Sequence, residues 1–71
     1  MDAEIIATGT ELLLGETLDT NSSYLATELP SVGIRVRKVT LVDDNVNNLK
    51  EVLKRAWKRS DFIFTTGGLG P

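Results

Sequence analysis

Three short segments rich in apolar and branched residues, 3–8, 34–41 and 62–66, are separated by two stretches with the length and periodicity of helices. Such alternation predicts an α/β fold, because parallel strands need a dozen or more residues to connect and helices supply them. The first run, Ala3-Glu4-Ile5-Ile6-Ala7-Thr8, is mostly apolar and stops at Gly9, the pattern of a strand buried on both faces. The second run interleaves Val36 and Val39 with Arg35, Arg37 and Lys38, as an edge strand with one wet face does. The predicted strand order is therefore 2-1-3 in a β-α-β-α-β chain, with right-handed crossovers and helices on both faces.

Residues 9–18 read as a loop holding Leu12-Leu13-Leu14 and Gly15. A first helix is predicted to begin at Asp19-Thr20-Asn21, any of which can cap a first turn. Its buried stripe is Tyr24, Leu25 and Leu29, and Pro30, which has no N–H, ends it before Gly33. In the second helix Leu49, Val52, Leu53, Ala56 and Trp57 fall at i, i+3, i+4, i+7 and i+8. That spacing makes one apolar face and predicts Trp57 as a core residue. Residues 42–45 form a turn with capping side chains, and Ser60-Asp61 breaks the helix.

The chain has 71 residues, so about 60% of the unfolded surface can be buried, and an independent fold of this size is marginal. Neither cysteine nor histidine is present, which excludes disulfides, thiolate nucleophiles, Cys/His zinc sites and a Ser-His-Asp relay. Chemistry is therefore left to carboxylates, hydroxyls, amides and backbone groups, with or without a hard metal held by oxygen. Residues 1–33 carry six acids and no base, while all eight Lys and Arg lie beyond them. Lys50, Lys54, Arg55, Lys58 and Arg59 share one helical pattern and read as its solvated face, so no nucleic-acid partner is expected. No unbroken apolar run exceeds three residues, which predicts no membrane span. Asp2 and Glu4 stand where an export signal carries bases, which predicts a cytoplasmic protein.

The third run enters Gly67-Gly68-Leu69-Gly70, a loop whose backbone N–H groups can approach a phosphate unobstructed. It is neither a Walker A loop nor a dinucleotide fingerprint, and a plain turn is its structural alternative. In a 2-1-3 sheet, however, this loop and Gly9-Thr10-Glu11 face each other across the topological switch point, where open α/β sheets bind ligands. Asp44 follows the second strand on the same rim. Glu11, Asp19 and Asp44, with Thr10 and Asn21 nearby, can hold Mg²⁺ against a diphosphate or orient a water. Asp19 and Asp44 can equally cap helices, and Glu11 can face solvent.

Thr8-Gly9-Thr10-Glu11-Leu12-Leu13-Leu14-Gly15, Asp19-Thr20-Asn21, Asp44-Asn45 and Thr66-Gly67-Gly68-Leu69-Gly70-Pro71 occur in that order. Together they resemble the molybdopterin-binding fold of MoaB- and MogA-type proteins, and more closely the N-terminal domain of the competence/damage-inducible CinA family. The resemblance spans the chain and implies a three-layer α/β/α domain with a mostly parallel sheet, about twice this length, of which residues 1–71 are the N-terminal part. It implies a pocket for a phosphorylated pterin or nucleotide diphosphate, and metal-aided hydrolysis of ADP-ribose at its pyrophosphate. In many members a separate domain deamidates nicotinamide mononucleotide. The alternative is a non-catalytic binding module of the molybdenum cofactor biosynthesis type. Carried over by position, Asp44 and Glu11 are the catalytic candidates. Gly9, Thr10, Asn21, Gly67, Gly68 and Gly70 are the substrate-binding candidates, and Glu11, Asp19 and Asp44 the metal ligands. After the glycine loop the family continues with threonine and an acidic pair, which lie beyond Pro71. The longer parent is expected to be a homo-oligomer.

Overall fold

The computed structural model describes residues 1–67, so Gly68, Leu69, Gly70 and Pro71 lie outside the described residues. β1 (Asp2–Thr8) is buried from Ala3 to Thr8. It pairs in parallel with β2 (Arg35–Val42) on one side and β3 (Phe62–Gly67) on the other, giving the order β2-β1-β3. This is the predicted α/β topology. The first crossover runs from β1 out to β2 and the second runs back across β1 to β3, so equal handedness puts their helices on opposite faces. α3 (Val46–Arg59) covers the face of Glu4, Ile6 and Thr8: Ile6, Val42 and Ala56 form a buried cluster, with Leu49, Val52, Leu53 and Ile63 packed against it. α2 (Thr20–Glu28) lies on the other face, toward Ala3, Ile5 and Ala7. No helix among the described residues is long and apolar enough to cross a membrane.

Asp19 caps α2 by accepting the Ser22 N–H at 3.1 Å. The helix ends at Glu28 and tightens into a single 3₁₀ turn over Leu29–Val32, which accepts Pro30 near its start. Gly33 closes that turn at a left-handed φ of +83°, a conformation that favours glycine. Asn45 caps α3 through the Asn48 N–H at 3.1 Å, and Lys58 and Arg59 complement the dipole at the other end.

Three sequence expectations need correction. Residues 9–18 are not all loop, because α1 (Thr10–Leu13) forms one turn directly after β1. Tyr24 is exposed, and Ser22 is the buried residue of α2. Trp57 is 80% exposed, while Ala56 beside it is fully buried. Each residue advances about 100° around a helix, so the stripe centred on Leu49, Val52, Leu53 and Ala56 leaves Trp57 on its margin, turned off the sheet.

Glu4 is the one charged residue inside β1 between two apolar neighbours, and its side chain is 1% exposed. Arg59, from the last turn of α3, grips it with two bonds of 2.8 Å, and the Ser60 hydroxyl donates to the same carboxylate. The Arg59 guanidinium is the main reason that the Glu4 carboxyl falls to about 2; burial pushes the other way, and Ser60 assists. β2 bulges between its pairings with Ala3 and Glu4, which leaves Arg37 unpaired in the ladder and able to reach the Arg59 carbonyl at 3.3 Å.

Arg59→Met leaves the buried Glu4 carboxylate with Ser60 as its side-chain partner. It is expected to lower the midpoint of a denaturant titration, because the buried carboxylate loses its counter-charge. Glu4 has a depressed folded-state pKa, so its contribution is complete above the ordinary value of 4.5 and is lost as pH falls toward 2. Thermal midpoints of the wild type should fall within that window, and Glu4→Gln should remove that part of the fall. Trp57→Ala, by contrast, is expected to change stability by only about 0.5 kcal/mol, and the Trp57 fluorescence should be that of a solvated indole.

Candidate functional site

The carboxyl ends of β1 and β3 lie side by side, with Thr8 paired to Gly67, and the connection from β1 leaves away from β3, toward β2. Strand ends of this kind are where open α/β sheets bind ligands in the crevice of a topological switch point. Gly67 adopts φ +120°, and a Cβ on it would collide with the carbonyl and hydroxyl oxygens of Thr8. Only glycine lets the two strand ends approach so closely. Thr8 also donates its hydroxyl to the Thr66 carbonyl at 3.2 Å, which ties β1 to β3 at the lip of the crevice.

Gly9 is buried, and its N–H donates to the Val42 carbonyl at 2.8 Å. That N–H is engaged within the fold and not offered to an anion. The Glu11 carboxylate folds back over Gly9, with Oε1 at 2.6 Å from the position a Cβ would take. Gly9 thus makes room for the acid at the end of β1.

Thr10 and Asp44 meet across 34 residues of sequence. Asp44 Oδ2 accepts the Thr10 N–H at 3.4 Å and the Thr10 hydroxyl at 3.3 Å, and the Asp44 N–H donates to Thr10 Oγ1 at 3.3 Å. Among the described residues no bond reaches Asp44 Oδ1. Asp19 is engaged as the α2 cap, and Asn21 is exposed in the first turn of that helix. The predicted contributions of Gly68 and Gly70 fall outside the described residues.

Glu11, Asp19 and Asp44 do not form a closed metal cage. Among the described residues no group of three or more Asp, Glu, His or Cys side chains could hold an ion. The free Asp44 Oδ1 does fit the way Mg²⁺ is commonly held, by one or two carboxylates together with substrate phosphates and water.

Several residues that shape this rim were missed in the sequence. Asp43 accepts the Asn45 N–H at 3.1 Å and both its oxygens take the Asn48 side-chain amide, so it stiffens the turn that presents Asp44. The Asp-Asp-Asn run signalled a cap without showing which residue serves it. The buried Ser22 Oγ and Thr66 Oγ1 have no hydrogen-bond partner among the described residues. Thr66 pairs with Ala7 and so faces the α2 side of the sheet, as Ser22 does from α2. No periodicity distinguishes such hydroxyls from ordinary packing.

The family model described as "Probable molybdopterin binding domain" matches residues 4–71. A relative named as a competence-damage inducible protein, from Alkaliphilus oremlandii, is 55% identical over 71 residues, which are 100% of this chain and 17% of that protein. A CinA-like protein from Kosmotoga olearia is 49% identical over the same 100% and 17%. The chain therefore spans about a sixth of the curated relatives it matches. The crystal structure of the protein CinA from Thermoplasma acidophilum has a TM-score of 0.91 and 33% identity, over 99% of this chain and 41% of that one. Sequence identity over the full 71 residues and the shared 2-1-3 sheet lead to one assignment: the chain belongs to the molybdopterin-binding domain family, in its CinA-type form.

Proposed function

We propose that this chain forms one wall of a crevice for a nucleotide diphosphate, in a protein that hydrolyses the pyrophosphate of an ADP-ribose-like substrate. One observation carries the reading: Asp44 is tied through Oδ2 to Thr10, just past the end of β1, and among the described residues no bond reaches its Oδ1. In the reaction, water adds to one phosphorus as the bridging P–O bond breaks, giving AMP and ribose 5-phosphate. Asp44 Oδ1 is placed to accept a hydrogen bond from that water. Gly67, with no side chain, lets a phosphate approach the ends of β1 and β3. Asn21, exposed in the first turn of α2, would offer its side-chain amide to the same anion. A divalent cation held by Asp44 and phosphate oxygens would neutralise charge that builds on the diphosphate.

The second reading is a non-catalytic module that carries a phosphorylated pterin or nucleotide. The absence of a three-acid cluster among the described residues favours it. The two readings separate on one variant. Asparagine caps a helix about as well as aspartate, so Asp44→Asn preserves any capping of α1 while removing the charge. In the full-length protein with saturating Mg²⁺, Asp44→Asn is expected to keep its thermal midpoint and lose AMP release from ADP-ribose. Unchanged AMP release would overturn a catalytic Asp44. A wild type that binds ADP-ribose by calorimetry and releases no AMP would establish the carrier reading instead.

A further inference from the structure

We infer that Thr10 is the positioning residue of this site, acting on the ligand only through Asp44; the inference rests on the reading of Asp44 given above. The Thr10 hydroxyl is used in both directions, donating to Asp44 Oδ2 and accepting the Asp44 N–H. It is therefore engaged as donor and as acceptor before any ligand arrives. The Thr10 N–H adds a second donor to the same carboxylate oxygen. Asp44 is consequently gripped at its backbone and at one side-chain oxygen, which fixes the direction of the other. Among the described residues Oδ1 is the carboxylate oxygen that takes no bond.

Two features separate this arrangement from ordinary capping. α3 takes its cap from Asn45, so Asp44 has no duty at the helix that follows it. α1 is a single turn of four residues, and its Leu12 and Leu13 N–H groups are already bonded to the Gly9 carbonyl at 3.1 Å. What the contact does accomplish is to join the turn after β1 to the turn after β2, the two loops on this side of the crevice. Its bonds of 3.3–3.4 Å are long and exposed. Hydrogen bonds at such sites shorten when a bound ligand completes the geometry and excludes water.

Valine has the shape of threonine without its hydroxyl, and serine keeps the hydroxyl without the methyl group. The test uses the full-length protein, with Mn²⁺ affinity read by electron paramagnetic resonance in the presence of the non-hydrolysable methylene-bridged analogue of ADP-ribose, and AMP release from ADP-ribose at saturating Mn²⁺. Thr10→Val is expected to weaken Mn²⁺ binding and lower kcat, each by roughly 10- to 100-fold, as loss of a residue that orients a ligating carboxylate does. KM for ADP-ribose should stay near the wild-type value, and Thr10→Ser should recover both properties. Should Thr10→Val fail to fold by circular dichroism, Thr10→Ala carries the same comparison. A Thr10→Val that raises KM with kcat unchanged would make Thr10 a direct substrate contact and overturn the inference. So would a Thr10→Val that behaves as wild type while Asp44→Asn loses function, and the reading of Asp44 would then survive. A wild-type-like Asp44→Asn would instead overturn that reading, and the positioning role with it.

Discussion

Burial of β1 on both faces is the constraint on which the remaining structure depends. From Ala3 to Thr8 the strand reaches almost no solvent, so each face must be covered and each edge paired. Placing one helix on each face requires the two crossovers to travel in opposite directions. That requirement alone sends β2 to one side and β3 to the other, and it opens the connections at the carboxyl ends of the strands. The crevice is thus a product of how the chain hides six residues.

The elements set by this constraint were legible in the sequence. The three strands announce themselves by apolar runs, and the charges of Arg35, Arg37 and Lys38 identify β2 as an edge. Pro30 and Gly33 mark the end of the first helical segment, because a missing N–H and a left-handed turn have few other uses there. Less legible was anything decided by a difference of a single helical step. Ala56 and Trp57 both satisfy an apolar periodicity, yet one is buried and the other faces water. Periodicity gives the direction of a stripe, while its width depends on how much sheet lies beneath the helix.

The site was legible as a neighbourhood and not as a set of contacts. Strand order predicted that Thr10 and Asp44 would share a rim, and they do. It could not reveal that the Gly9 N–H is spent on Val42, that Asp19 serves α2, or that Glu11 lies over Gly9. Those outcomes depend on side-chain rotamers and on hydrogen-bond competition within two or three residues. Residue type states which bonds a group can make. Only the fold decides which partner arrives first.

The salt bridge at the opposite pole of the sheet bears on how the chain finds this arrangement. The apolar residues of β1 would pack comparably well in several alignments, since Ile5 and Ile6 serve either face. Glu4 does not share that indifference. Sliding β1 by one residue would turn its carboxylate to the face away from Arg59, and a slip of two would carry it along the sheet away from that guanidinium. Either misalignment buries an uncompensated charge, a penalty of several kcal/mol. An acid in the middle of a hydrophobic strand therefore works as a key that fits one lock. It makes wrong registers expensive during folding, and so selects the alignment that brings Thr8 level with Gly67.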